Sequence, residues 1–352
     1  MSTKDEDVVT ELFVTSTHTP VLFFSNLGKV YRYKVWRLPE GGPATRGRPM
    51  INLLPLAPGE TISTVLPLPE DLSEWSRLHV MFATQRGLVR RNAMDAFTNV
   101  PSNGKIAMRF EEDSEDKLIG VALLSEHDDV LLATKLGKAI RFAGDDVREF
   151  QSRTSTGVRG VTLKGDDEVI SLSVLHRVGA TPEERETYLK FAPWKGEREG
   201  DHGMGSDRYN DLKDREQFIL TVCENGYGKL SSAYDYRRTG RGGQGITNID
   251  NIARNGPVVA SFAAAKGHQL MLVTNQAKLI RTTLASLRVI SRNSAGVKLF
   301  DVAKGEHVVS AARIEETEED AEINLADAVP EVAPDTGATI GEDDAAGPED
   351  GE

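Results

Sequence analysis

The sequence predicts an all-β fold, a β-propeller of four-stranded blades, with five full blades and the end of a preceding one. Three observations carry that reading. Short Val/Ile/Leu/Phe runs are separated by Gly, Asn, Asp and Ser, whereas long stretches of helical period are scarce. A unit of about 50 residues recurs five times along the chain. A four-stranded sheet of that size cannot cover both of its faces alone, and radial stacking buries them while leaving only short edges. A β-sandwich pair also uses many short strands, but the fixed period and a repeated loop-then-glycine pattern favour the propeller.

Each unit opens with an apolar strand ending in a turn: Val21–Gly28, His79–Gly87, Val130–Gly137, Phe218–Gly228 and Gln269–Ala277. A second strand follows with recurrent cations: Lys29 and Arg32, Arg90 and Arg91, Lys138 and Arg141, Lys229, and Lys278 and Arg281. After a variable loop comes a glycine and an alternating segment read as a third strand: Gly47–Leu53, Gly104–Phe110, Gly157–Leu163, Gly243–Ile249 and Gly296–Val302. An acidic or glycine turn then leads into a closing strand: Thr61–Leu66, Lys117–Leu124, Glu168–Val174, Pro257–Phe262 and His307–Ala312. The turn anchors at 28, 87, 137, 228 and 277 are 59, 50, 91 and 49 residues apart.

The blades are accordingly placed at about 21–68, 78–125, 128–176, 217–263 and 268–314. The long step reflects an insertion, 177–216, read as a surface loop with one short helix at Glu183–Lys190. Residues 1–20 are read as the end of a truncated first blade, and Met1 as an internal methionine of a longer protein or a mis-set start. The last segment, 315–352, holds 15 Asp/Glu and no Lys/Arg, and is expected to be a disordered acidic tail. Removing it from the totals leaves 42 basic against 39 acidic residues, so a chain of net charge −12 carries a mildly basic body of +3.

Several function classes are excluded. A single cysteine, Cys223, rules out a disulfide framework and most structural zinc sites, and its apolar run marks it as a small buried hydrophobe. No run of about 18 apolar residues exists, so no membrane partner is expected. Gly240, Gly242 and Gly245 satisfy G-x-G-x-x-G, but a strand-like segment follows them where a dinucleotide site needs a helix. No phosphate-binding G-x-x-x-x-G-K-[ST] occurs, and His18, His127 and His202 are not at metal-ligand spacing. Tyr33 and Tyr209 each follow an arginine but are read as structural. Neither a catalytic residue nor a metal or cofactor is expected in this chain.

The cations do form a pattern, because they recur at equivalent places. One set follows each opening turn, as above. The other lies around the second glycine: Arg46 and Arg48; Lys105; Arg153 and Arg159; Arg237, Arg238 and Arg241; Arg292 and Lys298. Gly240, Gly242, Gly243 and Gly245 are candidates for close backbone approach to a phosphate beside those arginines. One surface cation is ordinarily just solvated. A belt of them repeated around a disc suits duplex DNA, which offers one charge per about 1.7 Å and is bound this way without reading bases.

Thr15–Leu56 (TSTHTPVLFFSNLGKVYRYKVWRLPEGGPATRGRPMINLLPL) resembles the second blade of the C-terminal domain of the bacterial DNA gyrase A protein. STGVRGVTL, ENGYGKLSSAYDY and VTNQAKLIRTTLASL…RNSAGVKLF look like its later blades, so the resemblance covers roughly 5–314. It implies a six-bladed, strand-exchanged propeller that wraps double-stranded DNA around a basic rim. It further implies partners in the rest of gyrase A and in gyrase B (an A2B2 holoenzyme using ATP and Mg through other domains), cytoplasmic and nucleoid-associated. Two departures stand out. The family's Gln-Arg-Arg-Gly-Gly-Lys-Gly box belongs to a first blade whose start is missing, and Gly240–Gly245 in a later blade is the nearest match. The cleavage domain with its catalytic tyrosine is also absent, so the chain is expected to be no enzyme by itself. Alternatives are the C-terminal domain of the topoisomerase IV A protein, a protein-interaction propeller and a defective remnant. Trp36, Trp75 and Trp194 do not repeat as a WD-type propeller requires.

Overall fold

The computed structural model describes residues 15–314, apart from 43, 44, 46, 70, 112, 197–202, 251, 266 and 277 and the side chain of Leu72. The opening segment before 15, the acidic tail, Arg46 and His202 lie outside the described residues.

Each unit opens with a hairpin. The first contributes β1 (Pro20–Ser25), β2 (Lys29–Lys34) and β3 (Ile62–Pro67). The second contributes β4 (His79–Thr84), β5 (Leu88–Ala93), β6 (Lys105–Ile106) and β7 (Leu118–Leu124), with a short helix α1 (Leu72–Trp75) before it. The third has β8 (Asp128–Thr134), β9 (Lys138–Ala143), β10 (Val158–Arg159) and β11 (Val169–His176). The insertion carries α2 (Pro182–Phe191) and α3 (Ser206–Asp214). The fourth unit has β12 (Phe218–Cys223), β13 (Tyr227–Ser232), β14 (Ile246–Thr247), a short α4 (Ile252–Asn255) and β15 (Val258–Ala264). The fifth has β16 (Gln269–Thr274), β17 (Leu279–Thr283), β18 (Val297–Lys298) and β19 (Val308–Ile314).

These strands do not pair within their own units alone. Four sheets are four-stranded, in the orders β3-β1-β2-β6, β7-β4-β5-β10, β11-β8-β9-β14 and β15-β12-β13-β18, and one is three-stranded, β19-β16-β17. The two-residue strand of each unit therefore completes the sheet before it. The reason is visible at the hairpin turns. Gly28, Gly87, Gly137 and Gly226 take φ of +76 to +85°, and each turn carbonyl accepts a backbone N–H from the next unit's short segment, at 2.8–2.9 Å. A second stitch repeats beside it: the backbone carbonyls of Asn26, Gln85, Lys135 and Glu224 accept at 2.8–3.0 Å from the N–H groups of Leu118, Val169, Val258 and Val308 at the head of the next closing strand.

Three expectations are corrected by this pairing. The third strand of each unit is two residues long and belongs to the preceding sheet. In the first unit that segment is not a strand: Met50–Asn52 forms a 3-10 turn. The fourth hairpin turns at Gly226, and Gly228 lies inside β13. The acidic turns are also explained. Asp116 and Asp167 are buried, and each accepts the N–H of a hairpin-turn residue, from Arg86 at 2.9 Å and Leu136 at 2.8 Å.

Closing strands β3, β7, β11, β15 and β19 touch in succession. That edge of every sheet is where neighbouring sheets converge, so the hairpin's second strand and the exchanged strand lie at the far edge. Apolar side chains fill the gaps between sheets; between the first two, Phe24 packs edge-on to Phe82 and Phe97 at 5.6 and 6.0 Å, and those two lie tilted at 5.7 Å. Cys223 is buried in β12, and burial pushes its thiol up to about 12. A thiol so placed is an inert hydrophobe.

The insertion is more ordered than its composition suggests. Thr181 and Glu184 form a capping box at the start of α2, with Pro182 as its first residue. Tyr188 packs against Tyr209 and Tyr234 at 5.4 and 5.3 Å. Glu216 gathers Tyr188 Oη, Trp194 Nε1 and Ser232 Oγ at 2.8, 3.1 and 2.6 Å, which ties the helices to β13. Tyr209 donates to the Phe191 carbonyl at 2.8 Å, a structural bond.

Candidate nucleic-acid interface

Strand exchange brings the cation-bearing segment of one unit beside the hairpin of the unit before it. In the four exchanged pairs the register places Lys29 opposite Ile106, Leu88 opposite Arg159, Lys138 opposite Thr247 and Tyr227 opposite Lys298. Each pair holds one cation, supplied by the hairpin in two sheets and by the incoming strand in the other two. Arg159, Lys138 and Lys298 are exposed and Lys29 is half-buried. These four stand at one equivalent far-edge position, although they occupy two different positions in the repeat. In the fifth sheet Lys278 is exposed just before β17.

Several predicted residues have their charge already engaged. Arg90 is fully buried and donates to the carbonyls of Ser152, Arg153 and Ser155, the last two at 2.6 and 2.7 Å. Burial, aided by Arg153, pushes its guanidinium down to about 10. Lys229 is fully buried too and donates to the carbonyls of Ser291, Arg292 and Ser294, with the first and last at 3.1 and 3.0 Å. Burial, then the Arg292 charge, push its ammonium down to about 7. Arg90 and Lys229 therefore pin loops from inside and are not part of an exposed belt.

Arg141 is also buried, bonded to Asp129 at 2.9 Å and to the Ala233 carbonyl at 2.9 Å. It is a correction to the exposed belt, though it still lines a cavity described below. Arg32 donates to the Thr98 carbonyl and lies 5.7 Å over Trp75. Lys105 donates to the Ala96 and Asn99 carbonyls, both at 2.9 Å. Arg292 is spent on the Asp235 and Thr247 carbonyls, and Arg281 on Gln269. Lys298 pairs with Asp301 at 2.6 Å, and Arg153 is half-buried beside the Ala96 carbonyl at 3.5 Å. Arg48, Arg237 and Arg238 are exposed, and Arg91 is half-buried.

The glycine-rich loop behaves differently from its neighbours. Gly245 has φ +73°, and a Cβ there would meet the Ala139 carbonyl at 2.6 Å. It serves the strand exchange, so its glycine is required by packing and not by a phosphate. Gly240 would carry a Cβ into open space, and Gly243 meets only Ile140 at 3.6 Å. Gly242 has φ +84° and donates its N–H to the Gly160 carbonyl at 2.6 Å. Arg241 is exposed yet steadied by bonds to the Asp146 and Arg159 carbonyls at 3.0 and 3.1 Å.

The family described as DNA gyrase C-terminal domain, beta-propeller, matches residues 19–69, 78–125, 128–176, 217–264 and 268–315, more than half of the chain. This chain belongs to that family. Over 333 residues it is 48% identical to the DNA gyrase A protein of Rickettsia bellii, covering 92% of this chain and 36% of that relative. The gyrase family member thus spans about a third of the length of the curated relative it matches. Two solved structures share its fold. The C-terminal domain of DNA topoisomerase IV superposes with a TM-score of 0.68 at 17% identity, covering 93% of this chain and 88% of the other. The DNA gyrase A C-terminal domain gives 0.62 at 19%, covering 87% and 89%. Among the described residues no helix is long and apolar enough to cross a membrane, and no cluster of metal-ligand side chains occurs.

Arg177 and Arg185, which the repeat does not predict, flank Arg141 and Arg238 in one cavity. They sit in the insertion, where no periodicity calls attention to them. The available signal was the density of arginine in the residues bracketing Pro182.

Proposed function

We propose that this gyrase-family domain binds duplex DNA along the far edge of its sheets and wraps it. In this reading it works within gyrase A, paired with gyrase B in an A2B2 holoenzyme that supplies ATP, Mg and strand cleavage from other domains. It supports negative supercoiling in the cytoplasm, at the nucleoid, and performs no bond chemistry itself. One observation carries the reading: each exchanged strand pair holds a Lys or Arg at the same cross-strand position, Lys29, Arg159, Lys138 and Lys298 in successive sheets. Repeated cations at a sheet edge neutralise phosphates without reading sequence. Bending the duplex by 40–90° costs on the order of 1–6 kcal/mol, so several such cations must act together.

The test is duplex binding across a salt series, with relaxed plasmid and topoisomerase I added to trap writhe. Salt-sensitive binding with a linking-number change is the expected result. Binding without that change would replace wrapping with simple contact, as in the topoisomerase IV alternative. Absence of binding would sink the reading and leave a protein-interaction propeller. Deleting Glu315–Glu352 is expected to tighten binding at low salt, because 15 acidic residues then stop competing for the basic edge.

A further inference from the structure

The insertion builds a site of its own. Its first helix borders a cavity of about 250 Å3 beside the third sheet, and four guanidinium groups line it. Arg141 comes from β9, Arg177 follows β11, Arg238 follows β13, and Arg185 stands on α2. Two carboxylates answer them. Asp129, 2% exposed, accepts from Arg141 Nε at 2.9 Å and Arg177 Nε at 3.0 Å, and lies 3.9 Å from Arg238 Nη1. Asp145 takes the other end of Arg177 at 2.8 Å.

Four positive charges against two negative ones leave the cavity with a surplus of two. Among the described residues the Arg185 side chain has neither a hydrogen bond nor an ion pair. Arg141 is nine-tenths buried. Its charge is held down first by burial, opposed by Asp129, and further by Arg185 and Arg238. The buried guanidinium, Arg141, is already paired with Asp129, so the surplus charge sits on half-buried Arg185 and exposed Arg238, at the open side of the cavity where an anion can reach them.

We propose that this cavity binds one phosphoryl group, with Arg185 and Arg238 as its mobile forks and Arg177 and Arg141 as fixed charges behind them. Guanidinium forks match phosphate oxygens in pairs, which an ammonium does not. The phosphoryl group comes either from the DNA backbone or from a free phosphate or its ester. The first source rests on the DNA-binding reading; the second does not.

The experiment is calorimetric titration of the full chain with inorganic phosphate and with pyrophosphate at low ionic strength, alongside duplex binding over a salt series. Wild type is compared with Arg185→Gln, Arg185→Lys and, on the same helix but away from the cavity, Lys190→Gln. A free-phosphate site gives pyrophosphate binding that Arg185→Gln weakens at least about tenfold and Arg185→Lys restores in part. A DNA-phosphate site leaves pyrophosphate unbound, and Arg185→Gln lowers the salt slope of duplex binding by about 0.9. The proposal falls if Arg185→Gln moves neither quantity, or if Lys190→Gln moves them equally. Duplex binding with a silent Arg185 would discard this site and keep the DNA reading; pyrophosphate binding without duplex binding would do the reverse.

Discussion

Three crossing loops run the same path into a neighbouring sheet, yet they rest on different supports. Loops 152–157 and 291–296, SRTSTG and SRNSAG, each wrap three carbonyls around a buried cation from the strand beneath, Arg90 or Lys229. The glycine-rich loop 240–245 has Ile140 at the corresponding strand position and a cavity of about 150 Å3 beside it. The first two loops are fixed from inside by charge-assisted hydrogen bonds. The third has no cation beneath it and is held from the side, by the Gly242 N–H on the Gly160 carbonyl, the Thr162 N–H on the Gly243 carbonyl at 2.9 Å and Arg241 on the Asp146 and Arg159 carbonyls, while Arg237, Arg238 and Arg241 are all exposed. Where the buried cation is missing, cationic surface is retained.

The largest effect that separates these regions is in stability. Arg90→Met or Lys229→Met leaves three carbonyls without their donor, and each is expected to cost about 3 kcal/mol. Ile140→Met, at the equivalent place under the glycine loop, changes little more than shape and should cost less than about 1.5 kcal/mol. Urea unfolding of the three variants compares them directly. Equal losses at the three sites would erase the distinction between pinned and unpinned loops.

Within the glycine loop the same contrast applies residue by residue. Gly245→Ala forces a Cβ to 2.6 Å from the Ala139 carbonyl at φ +73°, and should cost about 2 kcal/mol or more. Gly296→Ala, 2.7 Å from the Gly228 carbonyl, should match it. Gly240→Ala enters open space and should stay within about 0.5 kcal/mol of wild type. A Gly240 variant as damaged as Gly245 would mean that the loop packs more tightly than its open side indicates.

The two pinned loops also differ from each other, because one cation titrates in the accessible range. Burial holds Lys229 near 7, while Arg90 keeps its proton to about 10. An unfolded Lys229 binds a proton up to about 10.5, so between about 7 and 10.5 the unfolded chain holds the extra proton. The cost of burying this group therefore shrinks as pH rises across that window, and it is fully present below 7. The limiting slope is about 1.4 kcal/mol per pH unit, measured as wild type minus Lys229→Met. The direct check is the Lys229 side-chain NMR titration. A midpoint at the ordinary lysine value would show that the three carbonyls hold the ammonium charged, and the pH slope would vanish with it.

Much of this was legible in the sequence and some of it was not, for a consistent reason. Hairpins such as VLFFSNLG are local, so alternation and a turn glycine reveal them. The exchanged strands are two residues long and pair outside their own unit, which periodicity within a unit cannot register. The same blindness put Arg90 and Lys229 on the surface. Yet the sequence held the clue in the pairing of SRTSTG with Arg90 and SRNSAG with Lys229, against TGRGGQG with Ile140. Reading one unit's loop against the previous unit's strand exposes it. The cation pattern suffered likewise: Lys29 and Lys138 occupy one repeat position, Arg159 and Lys298 another, and only the strand register aligns them. Of the insertion's two helices, the one expected at Glu183–Lys190 is α2, whereas α3 was missed because its one buried anchor, Leu212, makes no period.

The smallest effect in energy is the one closest to function. If the unpinned loop meets phosphate, replacing Arg237, Arg238 and Arg241 together with Ala should lower the salt slope of duplex binding by up to about 0.9 for each phosphate no longer neutralised. Arg153→Ala and Arg292→Ala remove arginines of the pinned loops, where Arg292 is already bonded to the Asp235 and Thr247 carbonyls. Their slopes should stay at the wild-type value, while stability falls slightly. The reverse outcome, with slopes carried by the pinned loops, would assign DNA binding to the rigid parts of the edge. A geometry fixed in advance would then matter more there than free charge, and the glycine loop would be a spacer between blades.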